Sequence, residues 1–179
     1  INRLTRLGVT PVGIPLDDDG MRMDLLSNAL DALKAKGVRP KYIYTIPTVQ
    51  NPTSTIMPLE RRREMLRLAA AHGVAIFEDD CYADLIWSGV RPPALHALSE
   101  RGDVIYVGSF SKSIAPALRV GYIVAPWGVM SRMLPLKTDG GSGALEQMVL
   151  AEFCTQNFDS HVAKLNKVLE RKANTLVEA

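Results

Sequence analysis

Lys112 is the residue whose setting could support covalent chemistry. It follows an apolar run at 104–107, after a short stretch that carries the hydroxyls of Ser109 and Ser111, and Arg119 comes seven residues later. A lysine amine held at the end of a buried strand is costly unless it is paired, neutral or used covalently. An amine nucleophile, two hydroxyls and a fixed cation could together hold a phosphorylated aldehyde.

Two further segments end in polar groups that suit the same chemistry. Asn51 follows the β-rich run 41–45, and Asp79 and Tyr82 follow the apolar run 74–77. A pyridine ring that acts as an electron sink needs a carboxylate at its nitrogen. A phenolic oxygen on that ring needs hydrogen-bond donors, which Asn and Tyr side chains supply. The residue types that a phosphorylated pyridine aldehyde would need are therefore all present, each at the end of a predicted strand.

The elements that must position these residues alternate between strands and helices. The predicted strands are 9–15, 41–45, 74–77, 104–107 and 122–125. The predicted helices of the same region are the end of one at 1–8, then 24–36 and 58–73. This alternation predicts an α/β fold of three layers with a mostly parallel central sheet, whose strand ends form the ligand crevice.

The last third of the chain is predicted to be helical. A helix over 128–137 leads into a glycine-rich loop at 138–143, and two further helices are expected to begin at Ala144 and Phe158. The second of these keeps apolar residues at helical spacing as far as Leu176. We therefore expect this part of the chain to pack as helices outside the sheet.

Composition and charge exclude several classes of protein. Hydrophobic residues make up 47% and charged residues 22% of the 179-residue chain, which is ordinary for a globular domain. The net charge of +2 favours neither nucleic acid nor an anionic membrane as a partner. No apolar run reaches the length of about 18 residues that a membrane span needs. Cys81 and Cys154 lie far apart, which fits the reduced thiols of a cytoplasmic protein.

Two charged clusters are predicted to be solvated rather than functional. Asp17, Asp18 and Asp19 lack the further ligands of a calcium loop, so we expect a turn and no metal site. The arginines at 61–63 are flanked by Glu60 and Glu64, which indicates a solvated helix face, although the stem of Arg62 lies at helical spacing with Leu59 and Met65. The absence of an initial Met and the helical pattern at the last residues predict that the chain is part of a longer protein.

Three motifs in this order carry a resemblance to a known family. They are Gln50-Asn51-Pro52-Thr53, Glu78-Asp79-Asp80-Cys81-Tyr82, and Ser109-Phe110-Ser111-Lys112 continued by Pro116, Arg119 and Gly121-Tyr122. On these motifs the chain resembles the fold-type I pyridoxal-phosphate aminotransferases of class I/II, and most of all their 2-aminoadipate aminotransferase-like subgroup. The resemblance covers nearly the whole chain.

The resemblance implies a role for each of these residues. Lys112 would form the Schiff base with pyridoxal 5′-phosphate and carry a proton between the substrate's α-carbon and the cofactor's C4′. Asp79 would face the pyridine nitrogen. The other implied cofactor ligands are Asn51 and Tyr82 at the phenolic oxygen, and Ser109, Ser111 and Arg119 at the phosphate. One departure is Ser54, where the family usually has glycine, and a positive φ there would strain a serine.

The resemblance also implies an organisation and partners. Residues 1–156 would belong to the large cofactor-binding domain, and 157–179 would begin the long helix that leads to a small C-terminal domain. The substrates would be an amino acid and a 2-oxo acid, the protein a cytoplasmic homodimer, and the 179 residues alone inactive.

Two alternatives to an aminotransferase stay open from the residues. A GntR/MocR-type transcription regulator carries an aminotransferase-like domain with similar Glu-Asp-Asp and Phe-Ser-Lys patterns. In that case DNA would be a further partner of the full-length protein. Another fold-type I enzyme, such as a lyase or decarboxylase, would use the same Lys112. A winged helix-turn-helix preceding residue 1 would identify the regulator.

Overall fold

The computed structural model describes residues 2–178 and contains two sheets and six α-helices within that range. The helices are α1 (Asn2–Arg6), α2 (Met23–Ala35), α3 (Leu59–His72), α4 (Leu95–Leu98), α5 (Trp127–Met133) and α6 (Ala144–Glu178). The strands are β1 (Leu16–Asp17), β2 (Gly20–Met21), β3 (Tyr42–Thr45), β4 (Ala75–Asp79), β5 (Val104–Ser109) and β6 (Gly121–Val124). Two short 3₁₀ turns, Pro116–Leu118 and Leu134–Leu136, complete the regular structure.

The central sheet has the order β3-β4-β5-β6, in which β3, β4 and β5 are parallel and β6 is antiparallel to β5. Apolar and β-branched residues dominate β3 and β5, as is usual for parallel strands. The helices α3 and α4 lie in the connections between the parallel strands. The predicted α/β fold with a mostly parallel sheet is confirmed.

One face of this sheet packs on helices to form the core. Leu26 and Leu30 of α2 and Met65 and Leu68 of α3 are buried in one cluster with strand residues such as Ile76. Side chains alternate between the two faces of a strand. In β4 the residues 76 and 78 are therefore buried toward the helices, while 77 and 79 are only partly buried.

The strand predicted at 9–15 is wrong. Residues 9–15 have no regular structure, and the first hairpin pairs Leu16 with Met21 and Asp17 with Gly20. Pro11 and Pro15 each lack the backbone N–H that a strand ladder needs, so the pairing begins only after the second proline. The turn predicted at the three aspartates is the turn of this hairpin. The first residue of the helix predicted at 1–8 lies outside the described residues, and α1 covers the rest as far as Arg6.

The two helices predicted after Ala144 form one continuous helix. The helix α6 has 35 residues and passes through Phe158 without a break. No Gly or Pro occurs within it, so nothing in the sequence ends it at that point. At a rise of about 1.5 Å per residue, a helix of this size reaches across a small domain.

No helix between residues 2 and 178 combines the length and the hydropathy that crossing a bilayer requires. In the same range no group of three or more acidic, His or Cys side chains is arranged to hold a metal ion.

Candidate active site

The polar motifs meet at the carboxyl ends of three parallel strands. Asp79 is the last residue of β4 and Ser109 the last residue of β5, so both strands run further than the sequence predicted. Asn51 lies in the loop that follows β3. The carboxyl ends of parallel strands share one edge of the sheet, which is where ligands bind in open α/β folds.

Asn51, Tyr82 and Lys112 come together around the Tyr82 side chain. Asn51 Nδ2 donates a hydrogen bond to Tyr82 Oη at 3.3 Å. Lys112 Nζ lies 5.6 Å from the centre of the Tyr82 ring. The burial that the sequence suggested for Lys112 is not observed, because its side chain is exposed. Three predicted site residues from three separate loops are therefore brought together at the Tyr82 side chain.

Asp79 has one bonded and one unbonded carboxylate oxygen. Tyr44 Oη donates a hydrogen bond of 2.7 Å to Oδ2. Oδ1 is buried and has no hydrogen-bond partner within the described chain. A buried carboxylate oxygen without a donor is rare in proteins, because it has lost water and gained nothing in return. Oδ1 therefore suits a protonated pyridine nitrogen, and on this observation the residues fit the cofactor.

The neighbours of Asp79 have structural tasks. Glu78 is fully buried on the opposite face of β4 and accepts hydrogen bonds from the backbone N–H groups of Leu95 and His96, at 2.7 and 2.8 Å. These N–H groups open α4, so the carboxylate satisfies the free donors of that helix end. Burial raises the pKa of Glu78.

The Asp80 side chain is likewise held by hydrogen bonds from neighbouring side chains. Its Oδ2 accepts hydrogen bonds from Arg91 Nη2 at 2.8 Å and from Tyr106 Oη at 3.0 Å. Arg91 also pairs with Asp84 at 3.0 Å. Oδ1 of Asp80, like Oδ1 of Asp79, is buried and has no hydrogen-bond partner within the described chain. Asp80 is paired with Arg91, however, and Glu78 with the first N–H groups of α4. Among the described contacts, Asp79 is therefore the one of these three carboxylates that is bound to neither a cation nor a helix end.

The three residues predicted at the phosphate share one cavity. Ser109, Ser111 and Arg119 line a cavity of about 690 Å³ together with Cys81 and Lys137. Ser109 Oγ accepts a hydrogen bond from the Ser111 backbone N–H at 3.1 Å, which fixes the first turn of the loop. The exposed Arg119 guanidinium donates to the Pro116 carbonyl at 3.2 Å. The phosphate role of these residues stays a prediction.

Gly108 and Tyr122 fix the two ends of the Lys112 loop. They pair across β5 and β6, and a Cβ on Gly108 would lie 2.3 Å from Cζ of the Tyr122 ring. Only glycine lets the ring lie across β5 at this point. The Phe110 backbone N–H then donates to the Val120 carbonyl at 3.2 Å, which closes the loop at its base.

The loop that carries Asn51 is strained. Val49 and Ser54 have positive φ values of 53° and 60°. Such values are uncommon for residues with a Cβ and occur where surrounding bonds hold the chain. Here Gln50 makes two of those bonds. Its side-chain Oε1 accepts a hydrogen bond from the Thr53 N–H at 2.8 Å, and its backbone N–H donates to the Thr55 carbonyl at 3.0 Å. The positive φ at Ser54 explains why the resembled family has glycine there.

Arg62 anchors the same loop from below, which corrects the prediction of a solvated 61–63 face. Its guanidinium is fully buried. It donates hydrogen bonds to the Met57 carbonyl at 2.8 Å, Pro47 carbonyl at 2.9 Å, Thr48 Oγ1 at 3.0 Å and Pro93 carbonyl at 3.2 Å. The sequence pattern placed only the stem of Arg62 on the apolar face and did not predict a buried head group. Its neighbours on the helix do form exposed or partly exposed ion pairs, Arg61 with Asp17 and Arg63 with Glu60.

The long helix α6 bonds to both site loops. His161 Nε2 lies 3.0 Å from the Ser113 carbonyl oxygen, next to Lys112. Asn166 Nδ2 donates to the backbone carbonyls of Asp84 and Ile86, at 2.9 and 3.0 Å, just beyond Tyr82. Neither contact could be predicted from sequence patterns, because each joins residues far apart in the chain.

Comparison with known proteins identifies the family. The model of the family described as aminotransferase class I and II matches residues 2–179. The chain belongs to this family. The family predicted from the three motifs is therefore confirmed.

The relatives of this family member include both enzymes and regulators. A 2-aminoadipate transaminase of Thermus thermophilus is 32% identical over 93% of this chain and 42% of that protein. An uncharacterised HTH-type transcriptional regulator of Bacillus subtilis, YisV, is 34% identical over 92% of this chain and 34% of that protein. The chain thus spans less than half the length of these curated relatives.

A solved structure shares the fold and bears on the cofactor. The kynurenine aminotransferase of Pyrococcus horikoshii superposes with a TM-score of 0.90 at 34% identity, over 93% of this chain and 42% of that chain. Its crystals contain PMP, the amino form of pyridoxal phosphate, with kynurenine as substrate. Pyridoxal 5′-phosphate, predicted from the motifs, is thereby confirmed as the cofactor of the aminotransferase family.

Proposed function

We propose that the full-length protein is a pyridoxal-phosphate aminotransferase that moves an amino group between an amino acid and a 2-oxo acid. The observation that carries this proposal is the buried, unbonded Oδ1 of Asp79 at the end of β4, the strand that leads into the loop where Tyr82 meets Asn51 and Lys112. An amine, a carboxylate with a free oxygen and two polar donors are what a pyridine aldehyde needs at its reactive carbon, its ring nitrogen and its phenolic oxygen.

Each residue has a task in this proposal. Bound pyridoxal phosphate would supply an aldehyde carbon for an amine and a ring that accepts electrons from the substrate's α-carbon. Lys112 would hold the cofactor through its Nζ and would carry the proton to and from the substrate's α-carbon. Asp79 would stabilise the protonated ring nitrogen. The remaining cofactor ligands are Asn51 and Tyr82 at the phenolic oxygen, with Ser109, Ser111 and Arg119 at the phosphate.

The overall exchange balances without an outside oxidant. The donor amino acid leaves as a 2-oxo acid, and the acceptor 2-oxo acid leaves as an amino acid. The protein therefore needs only the cofactor and its two substrates, and the proton removed at one α-carbon is returned at the other.

We also propose the organisation implied by the resemblance. Residues 1–156 form part of the large cofactor domain, and 157–179 begin the passage to a small domain that supplies the substrate-carboxylate site. A homodimer in the cytoplasm fits this family, and the free thiols of Cys81 and Cys154 fit a reducing compartment. The 179 residues alone are then expected to be inactive.

A regulator is the second candidate, because YisV matches over 92% of this chain. In that case the same residues would bind the cofactor as a sensor, and turnover would be absent. Transamination with a panel of amino acid donors, measured beside DNA binding of the full-length protein, separates the two. Turnover supports the enzyme, whereas DNA binding without turnover supports the regulator.

Borohydride trapping tests the role of Lys112. Full-length protein loaded with pyridoxal phosphate is reduced, digested and analysed by mass spectrometry, and we expect a phosphopyridoxyl group on Lys112. The control is Lys36→Ala, which removes an exposed lysine at the end of α2 and should leave the labelling unchanged. Labelled protein from Lys112→Ala, or no label in the wild type, would contradict the proposal.

A further inference from the structure

Tyr44 is a site residue that no motif pointed to. It lies on β3 opposite Phe77 of β4, and Asp79 follows Phe77 by two positions on the same face of the sheet. The phenol oxygen can therefore reach across to the carboxylate, and it donates to Oδ2 at 2.7 Å. The bond joins two strands of the sheet rather than two mobile loops, so its geometry is fixed by the fold.

The bond leaves the two oxygens of Asp79 in different states. Oδ2 has a donor, whereas Oδ1 is buried and has none in the described part of the chain. Burial and the neighbouring Asp79 carboxylate raise the pKa of Tyr44, so its hydroxyl stays protonated and remains a donor at neutral pH. A carboxylate held at one oxygen presents the other in a single direction.

We propose that Tyr44 is a positioning residue that holds Oδ2 of Asp79 so that Oδ1 meets the ring nitrogen of the pyridine cofactor. This inference rests on the proposed function. In this inference Asp79 makes the contact with the ring nitrogen. Tyr44 does not touch that nitrogen and acts only by positioning Asp79.

Tyr42 provides the matched control for a merely structural role. It lies on the same face of β3 two residues earlier, and its ring packs on Phe77 at 5.8 Å, as the Tyr44 ring does at 6.1 Å. The structure gives Tyr42 Oη no hydrogen bond with any described residue. Removing either hydroxyl keeps the ring packing, but only Tyr44→Phe releases Asp79.

The test measures cofactor affinity with two forms of the cofactor. Full-length protein stripped of cofactor is titrated with pyridoxal phosphate and with an analogue in which carbon replaces the ring nitrogen. We expect Tyr44→Phe to weaken binding of pyridoxal phosphate about tenfold, as the loss of a hydrogen bond to a charged group would, and to leave the analogue within about twofold. Tyr42→Phe should leave both affinities unchanged.

A second measurement examines whether Tyr44 acts through Asp79. In the Asp79→Asn background, Tyr44→Phe should have no further effect on pyridoxal phosphate affinity, because the carboxylate it orients is gone. Equal weakening of both cofactor forms by Tyr44→Phe, no weakening of either, or the same pattern from Tyr42→Phe would overturn the inference. Failure of the wild-type protein to bind pyridoxal phosphate would overturn the proposed function instead.

Discussion

His161 Nε2 and the Ser113 carbonyl oxygen lie 3.0 Å apart, although 48 residues separate them in the chain. A carbonyl can only accept, so the imidazole carries its proton on Nε2. Ser113 is 2% exposed, and water has little access to its neighbourhood. The long helix therefore holds the residue directly after Lys112.

Replacing His161 by Ala should loosen this contact. The Ser113 carbonyl would lose its partner in a buried place, which costs about 1–2 kcal/mol. Urea unfolding of the full-length protein measures the change in the free energy of unfolding. Ser160→Ala is the control, since its exposed hydroxyl bonds only to the Asn157 carbonyl in its own helix. Equal changes in the two variants would show that the His161 bond contributes nothing.

Replacing Arg62 by Met should destabilise the protein strongly. Three carbonyls and one hydroxyl lose their buried donor, and the expected loss in the free energy of unfolding is on the order of 3 kcal/mol. Arg62→Lys should recover little, because a single ammonium cannot reach all four acceptors. Thermal and urea denaturation give the measurement.

Arg63→Met is the matched control for Arg62. Its guanidinium pairs with Glu60 on the exposed face of α3, so the change should stay within about 0.5 kcal/mol. Comparable losses from the two variants would contradict the anchoring role of Arg62.

Replacing Asp79 by Ala should reduce turnover while some cofactor still binds. The ring nitrogen would lose its counter-charge, and removal of such an electrostatic partner typically lowers kcat by about 100-fold or more. Steady-state kinetics measure kcat, and absorption spectra measure bound cofactor. The control is Asp18→Ala in the exposed hairpin turn. Unchanged turnover in Asp79→Ala would refute the role given to this carboxylate.

Cys81 should resist alkylation at neutral pH. Burial, followed by the adjacent Asp79 carboxylate, raises the pKa of its thiol to about 12. Since the thiolate forms only as pH approaches that value, about one molecule in 10⁴ is reactive at pH 8. Iodoacetamide labelling, read by peptide mass spectrometry, should rise about tenfold per pH unit as long as the protein stays folded. Rapid labelling should appear at pH 8 only in urea, and rapid labelling of the native protein would contradict the shift.

The features predicted correctly from the sequence depend on short stretches of chain. β3, β4 and β5 were expected because each is a compact apolar run. Parallel strands then place their carboxyl ends together, and this rule alone brought Asn51, Tyr82 and Lys112 into one region. Motif spacing and sheet topology therefore suffice to locate the candidate site.

The features missed depend on contacts between distant residues. The contact between Tyr44 and Asp79 depends on the register of β3 against β4, and this register cannot be predicted from a local sequence pattern. Arg62 is buried although its neighbours in the arginine cluster are not, because α3 turns that one position toward the Asn51 loop. The strand expected at 9–15 failed for a local reason, the missing N–H groups of two prolines.

Glu78 and Asp79 are consecutive residues of β4, and their side chains lie on opposite faces of the sheet. The position of each carboxylate therefore depends on the register of β4 against its neighbouring strands. A slip of one residue would exchange the two faces and bring a longer carboxylate to the ring side. The same slip would remove the Glu78 carboxylate from the first N–H groups of α4. The shifted sheet would therefore be less stable, because these N–H groups would lose their acceptor. Glu78 therefore stabilises the observed register of β4, and this register keeps Asp79 on the face where we propose that the cofactor binds.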